Sequence, residues 1–208
     1  MKDLRGRVAV VTGGANGIGL GLAERFLQEG MKVVIADINE QDLARAEQSL
    51  AASGEVLAVT TDVSREDSVQ SLADAAVARF GGVHVLCNNA GVGGTQRFDT
   101  VGQATWEWTI GVNLWGVVHG CRIFLPILAA QDEAYIVNTA SMAASRRVRT
   151  RQPTRRRKPV WWPCPSAWRT SSRSSTRTWV SRCCLRRTRP RRYATTNATL
   201  LPDTFRVL

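Results

Sequence analysis

A glycine-rich segment near the N-terminus carries the strongest chemical signal in the sequence. It reads TGGANGIG over 12–19, between an apolar run and an amphipathic one. Glycines at this spacing permit a tight turn and a close approach of the backbone to a pyrophosphate. The N–H groups and the positive dipole end of the following helix then point at that pyrophosphate. The candidate dinucleotide contacts are therefore Gly13, Asn16, Gly17, Ile18 and Gly19.

A carboxylate stands where an adenosine ribose would need one. Asp37 ends the second apolar run, about 20 residues after the glycines, where it can accept two hydrogen bonds from the ribose diol. A 2′-phosphate would meet like charge there, and Ile38 and Asn39 supply no cation. NAD is therefore favoured over NADP. The alternative interpretation is that Asp37 serves only as an N-cap for the next helix.

The elements that position these residues alternate between short β-branched runs and longer amphipathic stretches. Nearly continuous apolar runs predict strands that are covered by helices on both faces. The predicted strands are 7–12, 32–37, 56–60, 83–88 and 134–139, and the predicted helices are 17–29, 40–52, 66–80 and 105–128. The fold class is thus a three-layer α/β domain with a doubly wound, Rossmann-type parallel sheet, in residues 1–145.

Five motifs occur in order at matching positions along this pattern. They are the glycine-rich turn at 12–19, Asp62-Val63 after the third strand, Asn88-Asn89-Ala90-Gly91 after the fourth, Asn113 in the long helix and Ser141 after the fifth strand. Over about residues 5–145 the chain thereby resembles the short-chain dehydrogenase/reductase family. The resemblance implies an oxidoreductase that transfers hydride between a nicotinamide cofactor and a secondary alcohol or ketone.

The resemblance also implies a role for each residue. Asp62 and Val63 would hold the adenine; Asn89, Ala90 and Gly91 would line the cofactor and brace the sheet; Asn113 would support a proton-relay water; Ser141 would hydrogen-bond the substrate. Taken singly, each has a structural alternative: a polar turn at 88–91, a buried amide at Asn113, a helix cap at Ser141.

The last third of the chain has a different composition. Residues 1–145 carry 10 Lys and Arg against 16 Asp and Glu, whereas 146–208 carry 18 against one. All 17 glycines stand at or before Gly120. Such a segment can bury little apolar surface, so 146–208 is predicted to be a poorly ordered basic tail. The sheet is then truncated after about the fifth strand, which becomes an edge.

The acid/base residue that the resemblance implies is missing from its place. The family carries a tyrosine about a dozen residues beyond the serine and a lysine four residues further on. This chain has two tyrosines, Tyr135 and Tyr193, and the expected place holds Thr154 and Lys158 instead. An aliphatic hydroxyl is far less acidic than a phenol. The catalytic tyrosine is therefore absent, and little turnover is expected.

A frameshift would explain both the composition and the missing tyrosine. Residues 152–168 can be back-translated with GC-rich codons and read in the adjacent frame. The result contains Tyr-xxx-Lys followed by an amphipathic helix. The hypothesis is that the reading frame changed between about Met142 and Arg151.

Partners and location follow from the same features. The substrate would be a small alcohol or ketone, with possible homo-oligomerisation through the long helices. The alternative is a non-catalytic dinucleotide-binding remnant whose tail binds nucleic acid or other polyanions through its Arg clusters and four Trp, although such a charge also binds polyanions non-specifically.

Five cysteines without a CxxC pair predict no metal site. With no leader and no apolar stretch of about 18 residues, we expect a cytoplasmic protein without membrane contact.

Overall fold

The computed structural model describes residues 3–93 and 100–141, and the backbone of 178–185. Its strands are β1 (Val8–Thr12), β2 (Lys32–Asp37), β3 (Val56–Thr60), β4 (Val85–Asn88), β5 (Ala134–Ser141) and β6 (Thr178–Leu185). Its helices are α1 (Gly17–Gln28), α2 (Glu40–Leu50), α3 (Glu66–Phe80), α4 (Gln103–Ile110) and α5 (Gly116–Ala129). A short 3₁₀ turn, Ala51–Ser53, follows α2, and a π-helical turn, Gly111–Trp115, joins α4 to α5.

The strand order β3-β2-β1-β4-β5-β6 confirms a doubly wound sheet. The first five strands are parallel, and Val10 of β1 lies between Val34 of β2 and Leu86 of β4. The chain reverses its direction across the sheet between β3 and β4, so β1 and β4 become neighbours. In this topology the crevice beyond the carboxyl ends of those two strands is the expected ligand site.

The sheet extends one strand beyond the five that the sequence predicts. β6 pairs with β5 in antiparallel register, from Ala134 opposite Leu185 to Ser141 opposite Thr178. The parallel part of the sheet ends with the fifth strand, as predicted, but the expectation that β5 forms an edge is corrected by β6. The physical reason is that the unpaired N–H and C=O groups of an edge strand are a template for another extended segment. The rest of 142–208 lies outside the described residues.

Both faces of the sheet are buried, which accounts for the apolar strands. On one face, Phe124 and Leu128 of α5 pack with Leu72 of α3. On the other face, Leu27 of α1 and Leu50 of α2 belong to a second core group. Burial of each such side chain contributes roughly 1.5–3 kcal/mol. The carboxyl ends of the strands are thereby held in fixed positions around the crevice.

The expectation that no stretch is long and apolar enough for a membrane also needs correction. Gln103–Ala129 is a 27-residue helical run that could cross a bilayer by length and composition. A buried crossover helix has the same composition, and Phe124 and Leu128 on this run are indeed buried in the core. Packing on the sheet thus accounts for the apolar side chains of its second half, whereas those of its first half are largely exposed.

Candidate functional site

The glycine-rich turn forms a cradle at the carboxyl end of β1. Gly13 has φ +64°, and a Cβ there would lie 2.9 Å from Ala90 Cα; a Cβ on Gly19 would overlap the carbonyl oxygen of Gly13. Gly17 also has a positive φ, +55°, but a Cβ on it would meet nothing within 4 Å. Gly13 and Gly19 thus permit close packing, while Gly17 faces open space. An open backbone turn at a helix N-terminus fits a pyrophosphate.

A hydrogen-bonded network joins three strand ends beside this cradle. Asn89 Nδ2 donates to the carbonyl oxygens of Thr12 (3.1 Å) and Gly13 (3.3 Å). The Thr12 hydroxyl oxygen accepts from the backbone N–H groups of Asn89 (3.0 Å) and Ala90 (3.1 Å). Thr139 Oγ1 donates to Asn89 Oδ1 over 3.2 Å. The network links β1, β4 and β5 at the crevice.

Thr12 and Thr139 are positioning residues that the sequence analysis did not select. Thr12 was part of the glycine-rich motif, but nothing in that motif distinguishes a hydroxyl that binds the backbone of β4 from a strand-end threonine. Thr139 stands 50 residues from Asn89 in the chain. Only the pairing of β4 with β5 brings them together.

The Asp37 carboxylate lies at the carboxyl end of β2, next to the cradle. Its Oδ2 accepts from Ala15 N (3.3 Å), and its Oδ1 accepts from Asn39 N (3.1 Å). Asn39, not Asp37, is the N-cap of α2, so the N-cap alternative for Asp37 is wrong. A carboxylate has about four lone-pair sites, which leaves acceptor capacity for a ribose diol.

The turn after β3 is held from two sides. Asp62 Oδ1 accepts from the N–H (2.9 Å) and the hydroxyl (2.6 Å) of Ser64. Val63 is buried, and its carbonyl oxygen lies 3.1 Å from Nδ1 of the buried His119 on α5. Since a carbonyl oxygen only accepts, this contact is a hydrogen bond in the tautomer that carries the proton on Nδ1. A Cβ on Gly116 would lie 2.8 Å from Val63 Cγ2, so α5 fits closely against this turn.

Asn113 lies in the π-helical turn and is bound to the segment after β4. Its Nδ2 donates to Val92 O (2.9 Å), and its Oδ1 accepts from Val92 N (2.8 Å). A Cβ on Gly91 would lie 3.4 Å from Asn113 Oδ1. The Asn113 side chain therefore fastens the stretch that contains Gly91 to the long helix. Its predicted support of a proton-relay water stays a prediction.

Ser141 is the last residue of β5 and is exposed at the carboxyl edge of the sheet. Tyr135 stands six residues earlier, and its hydroxyl donates to Glu133 Oε1 over 2.7 Å. At about 3.3 Å per residue, the strand separates Tyr135 from Ser141 by about 20 Å. Tyr135 therefore does not serve this site. Thr154, Lys158 and Tyr193 lie outside the described residues.

Most of the described groups with a shifted pKa lie away from the crevice. Arg7 forms a bidentate pair with Asp132 and holds the pKa of that carboxyl well below its usual range. Burial lowers the pKa of His84, and burial raises the pKa of Cys87 to about 12. Within the described residues, no three His, Cys, Asp or Glu side chains are grouped as they would be around a metal ion. For binding a ligand, the crevice therefore offers backbone N–H donors and the Asp37 carboxylate.

Comparisons with known proteins agree with this geometry. A family model described as short chain dehydrogenase matches residues 7–152. The 1-deoxy-11-beta-hydroxypentalenate dehydrogenase of Streptomyces avermitilis is 42% identical over 150 residues, 68% of this chain and 54% of that protein. The 2,3-dihydroxy-2,3-dihydro-p-cumate dehydrogenase of Pseudomonas putida is 44% identical over 137 residues, 65% of this chain and 53% of that protein.

Solved structures resemble the same part of the chain. A short-chain dehydrogenase/reductase from Burkholderia phymatum in complex with NAD is 50% identical, with a TM-score of 0.67, over 69% of this chain and 52% of that one. A short-chain dehydrogenase from Novosphingobium aromaticivorans is 45% identical, also with a TM-score of 0.67, over 69% of this chain and 55% of that one. The chain spans about half the length of the curated relatives that it matches.

Proposed function

The chain belongs to the short-chain dehydrogenase family, and from this premise we propose that it binds NAD in the crevice between β1 and β4. The observation that carries the proposal is the cradle at Gly17, which has a positive φ and open space where a side chain would be. The relative from Burkholderia phymatum, described as a complex with NAD, supports a nicotinamide dinucleotide as the ligand.

Within this site we assign the adenosine end to the carboxyl ends of β2 and β3. Asp37 would accept hydrogen bonds from the ribose diol, since its two backbone donors leave lone pairs available. Asp62 and Val63 would flank the adenine. A 2′-phosphate would be repelled by Asp37, so the preference is for NAD over NADP.

At the nicotinamide end the bound cofactor would supply hydride transfer to or from a secondary alcohol or ketone. Ser141 would hydrogen-bond the substrate oxygen, and Asn113 would fix the adjoining segment through Val92. The sequence offers no tyrosine where the family has its acid/base, and Tyr135 is bound to Glu133 at a distance from Ser141. We therefore propose a chain that binds NAD and turns over alcohols only in traces.

The missing tyrosine is explained by the proposed frameshift. Its support is that the family match ends at residue 152, close to where the arginine-rich composition begins. The nucleotide sequence around codons 140–160 tests it directly. An adjacent frame that encodes Tyr-xxx-Lys is expected, and an adjacent frame without that motif would contradict the frameshift.

We further propose self-association through the long helix. The side chains on its first half that are 40–56% exposed are Trp106, Trp108, Ile110, Leu114 and Trp115. From these large exposed apolar side chains we infer an interaction surface along the helix. Light scattering on the purified chain is expected to give a mass above the monomer's 22.8 kDa. A monomeric mass at high micromolar concentration would contradict it.

Titration with NADH and NADPH, followed by energy transfer from tryptophan, tests the main proposal. Saturable binding of NADH that is stronger than that of NADPH is expected, with no more than trace oxidation of a panel of secondary alcohols. A chain that binds neither cofactor would contradict the proposed site. Robust turnover would contradict only the proposal that the acid/base residue is missing, and not the proposed NAD site.

A further inference from the structure

Two of the described helices have an asparagine as N-cap, and the two asparagines behave differently. Asn39 caps α2 in the usual way, since its Oδ1 accepts from the backbone N–H groups of Gln41 and Asp42, each at 3.1 Å. Asn16 stands at the N-cap of α1 in an extended conformation but makes no side-chain bond to the helix. Its Nδ2 donates instead to Asp42 Oδ2, 2.9 Å away on α2.

Asp42 is itself held from the other side. Its Oδ1 accepts from Arg45 Nη2, and Arg45 Nε donates to Gln41 O over 3.3 Å. The Asp42 side chain is 25% exposed, compared with 74% for Arg45. A fixed carboxylate on the first turn of α2 therefore determines where the Asn16 amide points, across 26 residues of sequence.

We infer that Asp42 is a positioning residue of the dinucleotide site, which keeps Asn16 from capping α1 and leaves the helix N-terminus open to the pyrophosphate. An N-cap asparagine ordinarily accepts from the N–H of the second or third helical residue, here Ile18 or Gly19. Those N–H groups have no partner within the helix, and they are the donors that an anion uses at a helix N-terminus. The Asn16 side chain and a pyrophosphate therefore compete for the same backbone N–H groups.

The inference rests on the proposed binding of NAD and goes beyond it, because it assigns a role to a residue outside the crevice. Without Asp42, Asn16 loses its bond to α2 and is released to cap α1. A pyrophosphate must then displace that cap, so the affinity of the chain for a pyrophosphate falls. If Asp42 only supported the fold, its effect on this affinity would not depend on Asn16.

Comparing Asp42→Ala with Asp42→Asn in the full chain separates the effect of the lost charge from the effect of the lost hydrogen bond to Asn16. Both variants remove the same negative charge, but an asparagine oxygen still accepts from Asn16 Nδ2. ADP is the probe, by calorimetric titration, and thermal unfolding without ligand is the second readout. Asp74→Ala on α3 is the control for loss of an exposed carboxylate, because the Asp74 carboxylate accepts from Gln70 on its own helix.

Asp42→Ala is expected to bind ADP about fivefold more weakly than Asp42→Asn, the equilibrium weight of one N-cap hydrogen bond. Thermal unfolding without ligand is expected to show that both variants are folded. In an Asn16→Ala background the two Asp42 variants should bind ADP equally, since no side chain is left to cap α1. Asp74→Ala should bind ADP like the wild type.

Equal ADP affinity of Asp42→Ala and Asp42→Asn in the wild-type background would overturn the inference while leaving the proposed NAD site intact. A difference that persists in the Asn16→Ala background would overturn it as well. A wild-type chain that binds neither ADP nor NADH would overturn the proposed function and this inference together.

Discussion

The polar side chains around the crevice bond mainly to backbone groups rather than to one another. Asn89 and Asn113 each donate to a carbonyl oxygen of a neighbouring segment, and Asp37 accepts from two backbone N–H groups. Such bonds fix the course of the loops, because they hold the backbone itself and not another side chain. The residues that the sequence motifs identify singly therefore act together to preorganise the site.

Asp37→Asn tests the assignment of the ribose contact. Hydrogen bonds to a charged acceptor contribute about 1.5–3 kcal/mol, so NADH affinity should fall about tenfold or more. The preference for NADH over NADPH should narrow, because the repelling charge is gone. Both are measured by fluorescence titration, with Asp74→Asn as the charge-matched control. Unchanged NADH affinity would show that the carboxylate does not contact the cofactor.

Burial of Cys87 gives a dependence of stability on pH. The pKa of its thiol rises from 9.0 to about 12 in the folded chain, because burial disfavours the thiolate. The unfolded thiol ionises first, so the contribution to stability is full below pH 9 and is lost as pH rises from 9 towards 12.

The measurement is the free energy of unfolding of the wild type minus that of Cys87→Ala, from urea titrations at several pH values. This difference should be constant below pH 9 and should shrink by roughly 1.4 kcal/mol per pH unit above it. A difference that stays level to pH 11 would show that the folded thiol ionises normally.

At the scale of elements, the long helix between β4 and β5 positions both ends of the crevice. Its π-helical turn carries Asn113, bound to Val92, and the next turns carry Gly116 and His119, which contact Val63. π-Helical turns occur frequently at functional sites. Here the turn lets one helix hold the segments after β3 and after β4 at the same time.

The first helix offers a matched pair of glycines. A Cβ on Gly19 would overlap Gly13 O and lie 2.7 Å from Asn89 Nδ2, whereas a Cβ on Gly21 would meet nothing within 4 Å. Gly19→Ala should therefore lower the free energy of unfolding by about 1–3 kcal/mol. Gly21→Ala should raise it by up to about 1 kcal/mol. Thermal unfolding of both variants is the measurement; equal melting temperatures would contradict the packing argument.

At the scale of the whole molecule, the chain joins two compositions. Residues 7–152 match a family model, and the described part of them, through residue 141, folds as a doubly wound sheet. The Arg-rich segment lies outside the described residues except for β6. The interpretation of that segment as a polyanion-binding tail stays a prediction. β6 nevertheless changes the sheet, since the backbone of β5 is paired along its whole length.

The polyanion interpretation is tested by titrating the full chain into duplex DNA at several salt concentrations. Eighteen Lys and Arg in the last 63 residues predict binding without sequence preference. The affinity should fall steeply with salt, with a logarithmic slope of roughly −0.9 per phosphate neutralised. Binding that discriminates between sequences and survives raised salt would favour nucleic-acid recognition as the function.

The sequence by itself determined the elements of the first two-thirds. The bounds of β2, β3 and α3 agree with the prediction, because apolar periodicity and a terminal glycine such as Gly81 are local signals. The cofactor contacts at Asp37 and the glycine-rich turn stay predictions from the same kind of local signal. β5 extends two residues further than predicted, since its last residues pair with β6, which no local sequence pattern predicts.

Tertiary structure alone decided which side chains hold the site. Asp42 meets Asn16 across 26 residues, Thr139 meets Asn89 across 50, and His119 meets Val63 across 56. Residue type and spacing carry no information about such pairs, because the distance between them is set by strand order and helix packing. The order β3-β2-β1-β4-β5-β6 supplies that information, and with it the crevice.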